Sequence, residues 1–218
     1  MSIGIPKIAI TYRNKDGFMK TDWVDVYEKL LEERILFLSE IIDSSTMIQM
    51  LSLLLFLSKS DEDIYLYISS PGGGAQQAIS IYDAMNAIRP DVCTLLMGFA
   101  TLSPSLILTG GAAGKRGALP HSRVMIHQVD DHFSGLPDIL ELGLDGMLEL
   151  HDTIVDIYAD TTGQRLSVIE EDLEIEKVMS ATEAKAYGII DFISKKVEKR
   201  DKDEMEKERR KYEEWVYW

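Results

Sequence analysis

Cysteine is nearly absent: Cys93 is the only one in 218 residues, so no disulfide can close within the chain. It lies in the apolar run DVCTLLMGFA and reads as a buried structural thiol rather than a redox or ligand group. Histidine is also scarce. His121, His127, His132 and His151 have no spacing to acids or cysteines of the kind that builds a metal site. Long apolar runs are missing too. The longest, Leu53 to Leu57, falls far short of the ~20 residues that span a bilayer. Positive charge is in deficit, with 23 basic against 37 acidic side chains and a net charge of −14. Such a surface disfavours nucleic acid and anionic membrane as partners. The opening MSIGIPKIAITYRNKDG has neither a signal-peptide apolar block with a cleavage site nor a long basic transit segment. Gly72-Gly73-Gly74 lacks the G-K-S/T ending of a phosphate loop and the dinucleotide spacing, so no cofactor is expected.

What remains is ordinary globular material, 45% apolar and 28% charged, enough for one domain with a substantial core. Residues 1–22, with Pro6 and the turn-like Asn14-Lys15-Asp16-Gly17, read as an extended or mobile N-terminal arm. Residues 23–33 have helical apolar spacing. RILFL (34–38) reads as a core strand, and Asp43 or Ser44 caps a helix running to about Leu57. DIYLYIS (63–69) is a strand that ends in the glycine-rich turn Ser70–Gly74. A helix over 75–88 follows, with Ile79, Tyr82, Ala84, Met85 and Ile88 as core candidates, closed by Pro90. Val92–Met97 and RVMIH (123–127) read as strands, with a helix entered near residue 102 between them. Residues 129–136 are polar and irregular, and a long helix runs from about Pro137 to Thr161, ended by Gly163. Helices follow over 167–174 and after the capping box Ser180-Ala181-Thr182-Glu183, the latter stopping at Gly188, and 189–193 is a last strand. Alternating strands and helices predict an α/β layered fold with a largely parallel sheet. The tail 194–218 is dense in charge, with opposite-charge pairs such as Glu198–Lys202 and Glu206–Arg210. It reads either as a solvated helix or frayed tail, or as a segment docked on a partner through Trp215, Tyr217 and Trp218.

Four segments, in order, resemble the ClpP serine peptidase family. DIYLYISSPGGG (63–74) is similar to its D-I-x-L-Y-I-N-S-P-G-G segment, and AISIYDAMNAIRPDVCT (78–94) to its A-I-Y-D-T-M-x-x-I-x-P-D-V segment. KRGALPHSRVMIHQ (115–128) is similar to K-R-x-A-L-P-x-S-R-V-M-I-H-Q, and VMSATEAKAYGIIDFI (178–193) to F-M-S-A-x-E-A-x-x-Y-G-L-I-D. The likeness spans about 23–193. The opening, IGIPKI then TDWVDVYEKLLEERILFL, resembles the cyanobacterial and chloroplast branch, which includes ClpR, a paralogue lacking a complete triad. The resemblance implies a ClpP/crotonase-like fold with a protruding strand-helix handle over about 128–160.

The family's nucleophile segment reads G-x-A-A-S-M-G, and the corresponding residues here are GFATLSP (98–104). The serine position therefore holds Leu102, whose side chain cannot attack a carbonyl whatever base lies beside it. The family's histidine maps to His127. Its aspartate, the last acid of T-x-R-D-x-F-M-S, maps to Glu176 in LEIEKVMS, with Ile175 for the arginine and Val178 for the aromatic. Glutamate orients histidine in some hydrolases, but its extra methylene must be accommodated. By the same likeness, Gly72, Gly73 and the Ser103 N–H form an oxyanion-like turn. Pro104 replaces a glycine and removes a donor. Gly74, Ala75 and Val129 depart from the family's residues near the peptide-binding edge and after H-Q.

His127 then has two readings: a base with no serine to activate, or an inherited residue hydrogen-bonded to Glu176 or backbone. Tyr65 and Tyr67 match aromatic positions of the family's chaperone-docking cleft, against a plain reading as strand packing. The expected function is that of a non-catalytic structural or regulatory subunit, in a mixed heptameric ring of a double-ring core with ClpP and ClpR paralogues. An AAA+ Clp chaperone would feed it unfolded protein, in the chloroplast stroma or else in a cyanobacterial cytoplasm. The alternative is an altered serine peptidase using Ser103 with His127 and Glu176. Adjacent residues at a helix start point ~100° apart, which turns Ser103 away from the histidine. A crotonase-type acyl-CoA enzyme is a third, more distant reading.

Overall fold

The computed structural model describes residues 6–13, 18–129 and 137–194, with only the backbone for residue 13 and for 137–142. Six strands of the main sheet run parallel: β3 (Ile35–Leu38), β4 (Ile64–Ser70), β5 (Val92–Ala100), β6 (Arg116–Ala118) and β9 (Phe192–Ile193) in that order, with β7 (Arg123–Ile126) on the far end of β5. The seventh, β8 (Lys177–Ser180), is antiparallel to β7. The layered, largely parallel reading holds. Two short strands escaped the sequence reading: β6, too brief for an apolar pattern, and β8, masked by the charges of LEIEK.

Burial explains the strand calls. In β4, Ile64, Leu66 and Ile68 are fully buried while Tyr65 and Tyr67 face the other way, the period-2 pattern of a half-covered strand. On the core side lie α2 (Ser44–Leu57), α3 (Ala75–Ala87) and α4 (Leu102–Thr109), each packed on the next. Asp43 caps α2 by accepting from the Thr46 N–H at 2.7 Å. The buried stripe of α3 is Ala78, Ile81 and Met85. Ile79, Ala84 and Ile88 are only partly buried beside it. Every residue of α4 is buried, which marks it as the central helix.

Residues 23–25 are strand rather than helix. The N-terminal segment forms an antiparallel hairpin, β1 (Lys7–Arg13) with β2 (Met19–Asp25), stitched by Tyr12 Oη donating to Asp22 at 2.7 Å. Asp25 ends β2 and caps α1 (Val26–Glu32) through the Tyr27 N–H. The turn proposed at 14–17 and the C-terminal segment beyond 194 lie outside the described residues, as do 130–136 of the proposed handle. The helical part is present as α5 (Pro137–Thr162), a run of 26 residues ended at Gly163 with φ +73°. It is followed by α6 (Leu166–Glu174). The capping box on α7 (Ala181–Tyr187) is complete: Ser180 Oγ accepts from the Glu183 N–H, and Glu183 accepts from the Ser180 N–H at 2.7 Å.

One ion pair locks the far side of the sheet. Arg116, 9% exposed, donates to both oxygens of Asp191 at 2.9 and 2.6 Å, and to Thr161 O at 3.1 Å. It joins β6, the approach to β9 and the end of α5 in one bidentate contact.

Candidate functional site

The carboxyl ends of β4, β5 and β7 converge, as parallel strands in open α/β sheets do around a ligand crevice. β4 runs into Ser70-Pro71-Gly72-Gly73-Gly74, and β5 turns through Thr101 into α4. The turn needs its glycines. Gly72 and Gly73 have φ of +136° and +141°, and a Cβ on Gly73 would collide with the backbone of Ile42. Ser70 anchors the turn by donating its buried hydroxyl to Glu40 O at 2.6 Å.

Leu102 is the first residue of α4, 4% exposed, and its side chain belongs to the main core. Its carbonyl is held by a buried network: Ser105 Oγ donates to it at 2.9 Å, and Tyr158 Oη from α5 lies 2.6 Å from Ser105 Oγ and 3.3 Å from Leu102 O. Burial pushes the Tyr158 phenol well above its ordinary range, so it stays a neutral donor. Nothing in the sequence marked Tyr158, because one tyrosine in an apolar helix stripe carries no signal of its partner.

His127 and Glu176 flank the last β7–β8 pair, Ile126 with Lys177. Beyond that pair the register shifts, with the Gln128 N–H donating to Leu173 O at 2.8 Å. Among the described residues, however, no hydrogen bond joins them. His127 Nδ1 lies 2.7 Å from the Gln128 carbonyl, which can only accept, so Nδ1 is the donor in this contact. Glu176 is exposed. Of the two partners expected for an inherited His127, the backbone is the one observed.

Ser103 is 2% exposed and donates to Gly73 O at 2.7 Å. Its hydroxyl bonds the glycine turn, and among the described residues no hydrogen bond joins it to His127. Pro104 occupies the third position of α4, where a backbone N–H has no intrahelical acceptor, so the missing donor costs the helix nothing. Gly72, Gly73 and Ser103 are thus adjacent. The Gly72 N–H reaches back to Ser70 Oγ at 3.4 Å, whereas among the described residues no group accepts from the Gly73 N–H.

On the outer face of the sheet, Tyr65 and Tyr67 line a pocket of about 350 Å³ with Cys93, Leu95 and Phe192. Tyr65 is 45% exposed, and Tyr67 stacks on Phe37 at 5.5 Å. Both point away from the core, so filling it is not their role. Cys93, only half-buried, lies across from Tyr65, its thiol 3.6 Å from Asp63. Burial, then the charge of Asp63, pushes that thiol up to about 11, consistent with an inert group. Lys115 bridges Asp63 and Asp91 at 2.6 and 2.9 Å at the pocket rim.

Among the described residues, no cluster of histidine, cysteine and acid is arranged to hold a metal, and no helix is long and apolar enough to cross a membrane. The family model for Clp protease matches residues 19–197. Among similar proteins, "Chloroplastic ATP-dependent Clp protease proteolytic subunit 1" of Arabidopsis thaliana is 43% identical over 197 residues, covering 89% of this chain and 99% of that one. An "ATP-dependent Clp protease proteolytic subunit" of Marchantia polymorpha is also 43% identical, covering 89% and 96%, and one of Nicotiana tabacum matches at 43%, covering 89% and 99%. With parallel strands feeding a glycine turn and a buried helix start, and with the match spanning nearly the whole described domain, the chain belongs to the Clp protease family.

Proposed function

We propose that this chain is a non-catalytic subunit of an ATP-dependent Clp protease core, holding a place in a mixed heptameric ring whose peptide hydrolysis is done by serine-bearing ClpP neighbours. The observation that carries this reading is Leu102: an apolar side chain, buried in the core, at the first position of the helix where the family presents its nucleophile. The backbone bond of His127, with no hydrogen bond to Glu176 among the described residues, supports it, because a triad works as a hydrogen-bonded chain from acid to base to nucleophile.

A subunit can lose chemistry and keep assembly. Closed cyclic rings require complementary faces on every member, and those faces do not depend on the nucleophile. Tyr65 and Tyr67 fit an apolar docking cleft for a loop of an AAA+ Clp chaperone, with unfolded protein as the substrate passed to the chamber. The Arabidopsis relative is named chloroplastic, which favours the chloroplast stroma for this chain over a cyanobacterial cytoplasm. No cofactor is required by this reading.

The test is native mass spectrometry of the complex isolated through a tag on this chain, beside a fluorogenic peptide assay. The expected result is a ring assembly containing serine-bearing partners, with all activity lost when those partners are inactivated. A homogeneous assembly of this chain that cleaves peptide overturns the reading and turns attention to Ser103.

A further inference from the structure

The glycine turn has two edges, and both are occupied. Toward β3, the Ile42 N–H donates to Gly72 O at 2.9 Å and the Gly74 N–H donates to Ile42 O at 2.8 Å, a short parallel bridge. All described peptide bonds are trans, so the Gly73 N–H and carbonyl point the opposite way, toward the start of α4. An edge with a free donor and acceptors at alternate residues is where a further extended chain pairs. Here each acceptor already receives a hydroxyl from within the molecule. Thr101 Oγ1 donates to Pro71 O at 2.9 Å, and Ser103 Oγ donates to Gly73 O at 2.7 Å.

The sequence explains why these hydroxyls are available. Thr101 is the N-cap of α4, and an N-cap hydroxyl ordinarily accepts from the N–H two or three residues on. Three residues on stands Pro104, which has no N–H, and although the Ser103 N–H two residues on remains, Thr101 makes no side-chain cap bond. Its hydroxyl turns to the glycine turn instead. Ser103, one residue before the proline, is short enough to reach Gly73 O from within the first turn of the helix. A peptide pairing with this edge would displace both hydroxyls and strand that of Ser103 in a site from which water is almost wholly excluded.

We propose that Thr101 and Ser103 seal the acceptor edge of the glycine turn, so that the site refuses extended peptide as well as lacking a nucleophile. This deepens, and rests on, the non-catalytic reading above. Thr101 and Ser103 are positioning residues here: they act through Pro71 and Gly73, and the consequence is that unfolded chains in the chamber are not held at this subunit.

The experiment is a binding titration, followed by fluorescence anisotropy, of the purified full chain with a fluorescein-labelled apolar hexapeptide. Thr101→Val/Ser103→Ala is expected to bind roughly tenfold or more tightly than the parent chain, the worth of two released backbone acceptors. Thr101→Ser/Ser103→Thr keeps both hydroxyls and is expected to behave like the parent. A hexapeptide N-methylated at alternate amides is expected to lose the gain, which a merely loosened fold would not produce. Equal affinity of parent and Thr101→Val/Ser103→Ala, including no binding by either, overturns the proposal, as does a gain that survives N-methylation. If circular dichroism finds the double variant unfolded, Ser103→Ala alone carries the comparison, with an expected gain of about threefold or more. Mass spectrometry of the titrated peptide separates the two readings: cleavage counts against the non-catalytic function, whereas uncleaved but tightly bound peptide on the parent chain counts against the sealed edge alone.

Discussion

Replacing Leu102 by serine puts the family's residue back and is expected to damage the protein without restoring chemistry. Leu102 is 4% exposed and packed in the main core at the start of a helix buried along its whole length. Removing a buried leucine side chain forfeits about 1.5–3 kcal/mol of transfer free energy. The cavity left behind raises leucine-to-alanine costs to about 2–5 kcal/mol. A serine hydroxyl in that space adds its own desolvation unless it finds an acceptor, so about 3–5 kcal/mol is expected, a large share of a typical domain's stability. With a urea m-value of about 3 kcal/mol/M, the unfolding midpoint falls by about 1 M or more. Circular dichroism is the suitable probe, because Trp23, the tryptophan among the described residues, is exposed on the hairpin and would not report on the core. A fluorogenic peptide assay on the same samples is expected to stay at background, since His127 is bonded to Gln128 O and Glu176 stands free of it. A midpoint shift below about 0.3 M, or hydrolysis by the isolated variant, refutes the view that Leu102 is a core residue over a disconnected triad.

Asp191→Asn is expected to cost about 2–3 kcal/mol by chemical denaturation, because Arg116 keeps a nearly buried charge without its partner. Burial alone would raise the Asp191 carboxyl, but the hydrogen bonds and charge of Arg116 outweigh it and hold it below its ordinary value. Its contribution is therefore present above the unfolded carboxylate range and is lost as pH falls through the lowered folded value. Acid titration of stability should show a step that Asp191→Asn lacks. Gly73→Ala places a Cβ against the Ile42 backbone at φ +141° and is expected to lose more than about 2 kcal/mol, read as a lower melting temperature. Cys93, with its thiol pushed up to about 11, should react with iodoacetamide at pH 8 about a hundredfold more slowly than a free cysteine peptide, by mass spectrometry, and should speed up through pH 10.

Composition and local pattern carried much of the molecule. The capping box at Ser180–Glu183, the Asp43 cap and the alternation of IYLYIS act over a few residues, so the order of residues suffices to specify them. The apolar character of Leu102 was equally legible from its identity, and its correspondence to the family's serine came from the resemblance. Contacts between distant segments were not. That Arg116 meets Asp191 and that Tyr158 holds the carbonyl of Leu102 both depend on how strands and helices are docked. The hairpin of β1 and β2 is of the same kind: each strand gains its stability from the other, whose paired residues lie from six (Arg13 with Met19) to eighteen (Lys7 with Asp25) positions away. The sequence by itself therefore determined the α/β class and the apolar character of position 102, because both follow from side-chain identity and spacing. Tertiary structure alone decided where the hydroxyls of Thr101 and Ser103 go, because a hydroxyl takes whichever acceptor the fold brings within about 3 Å.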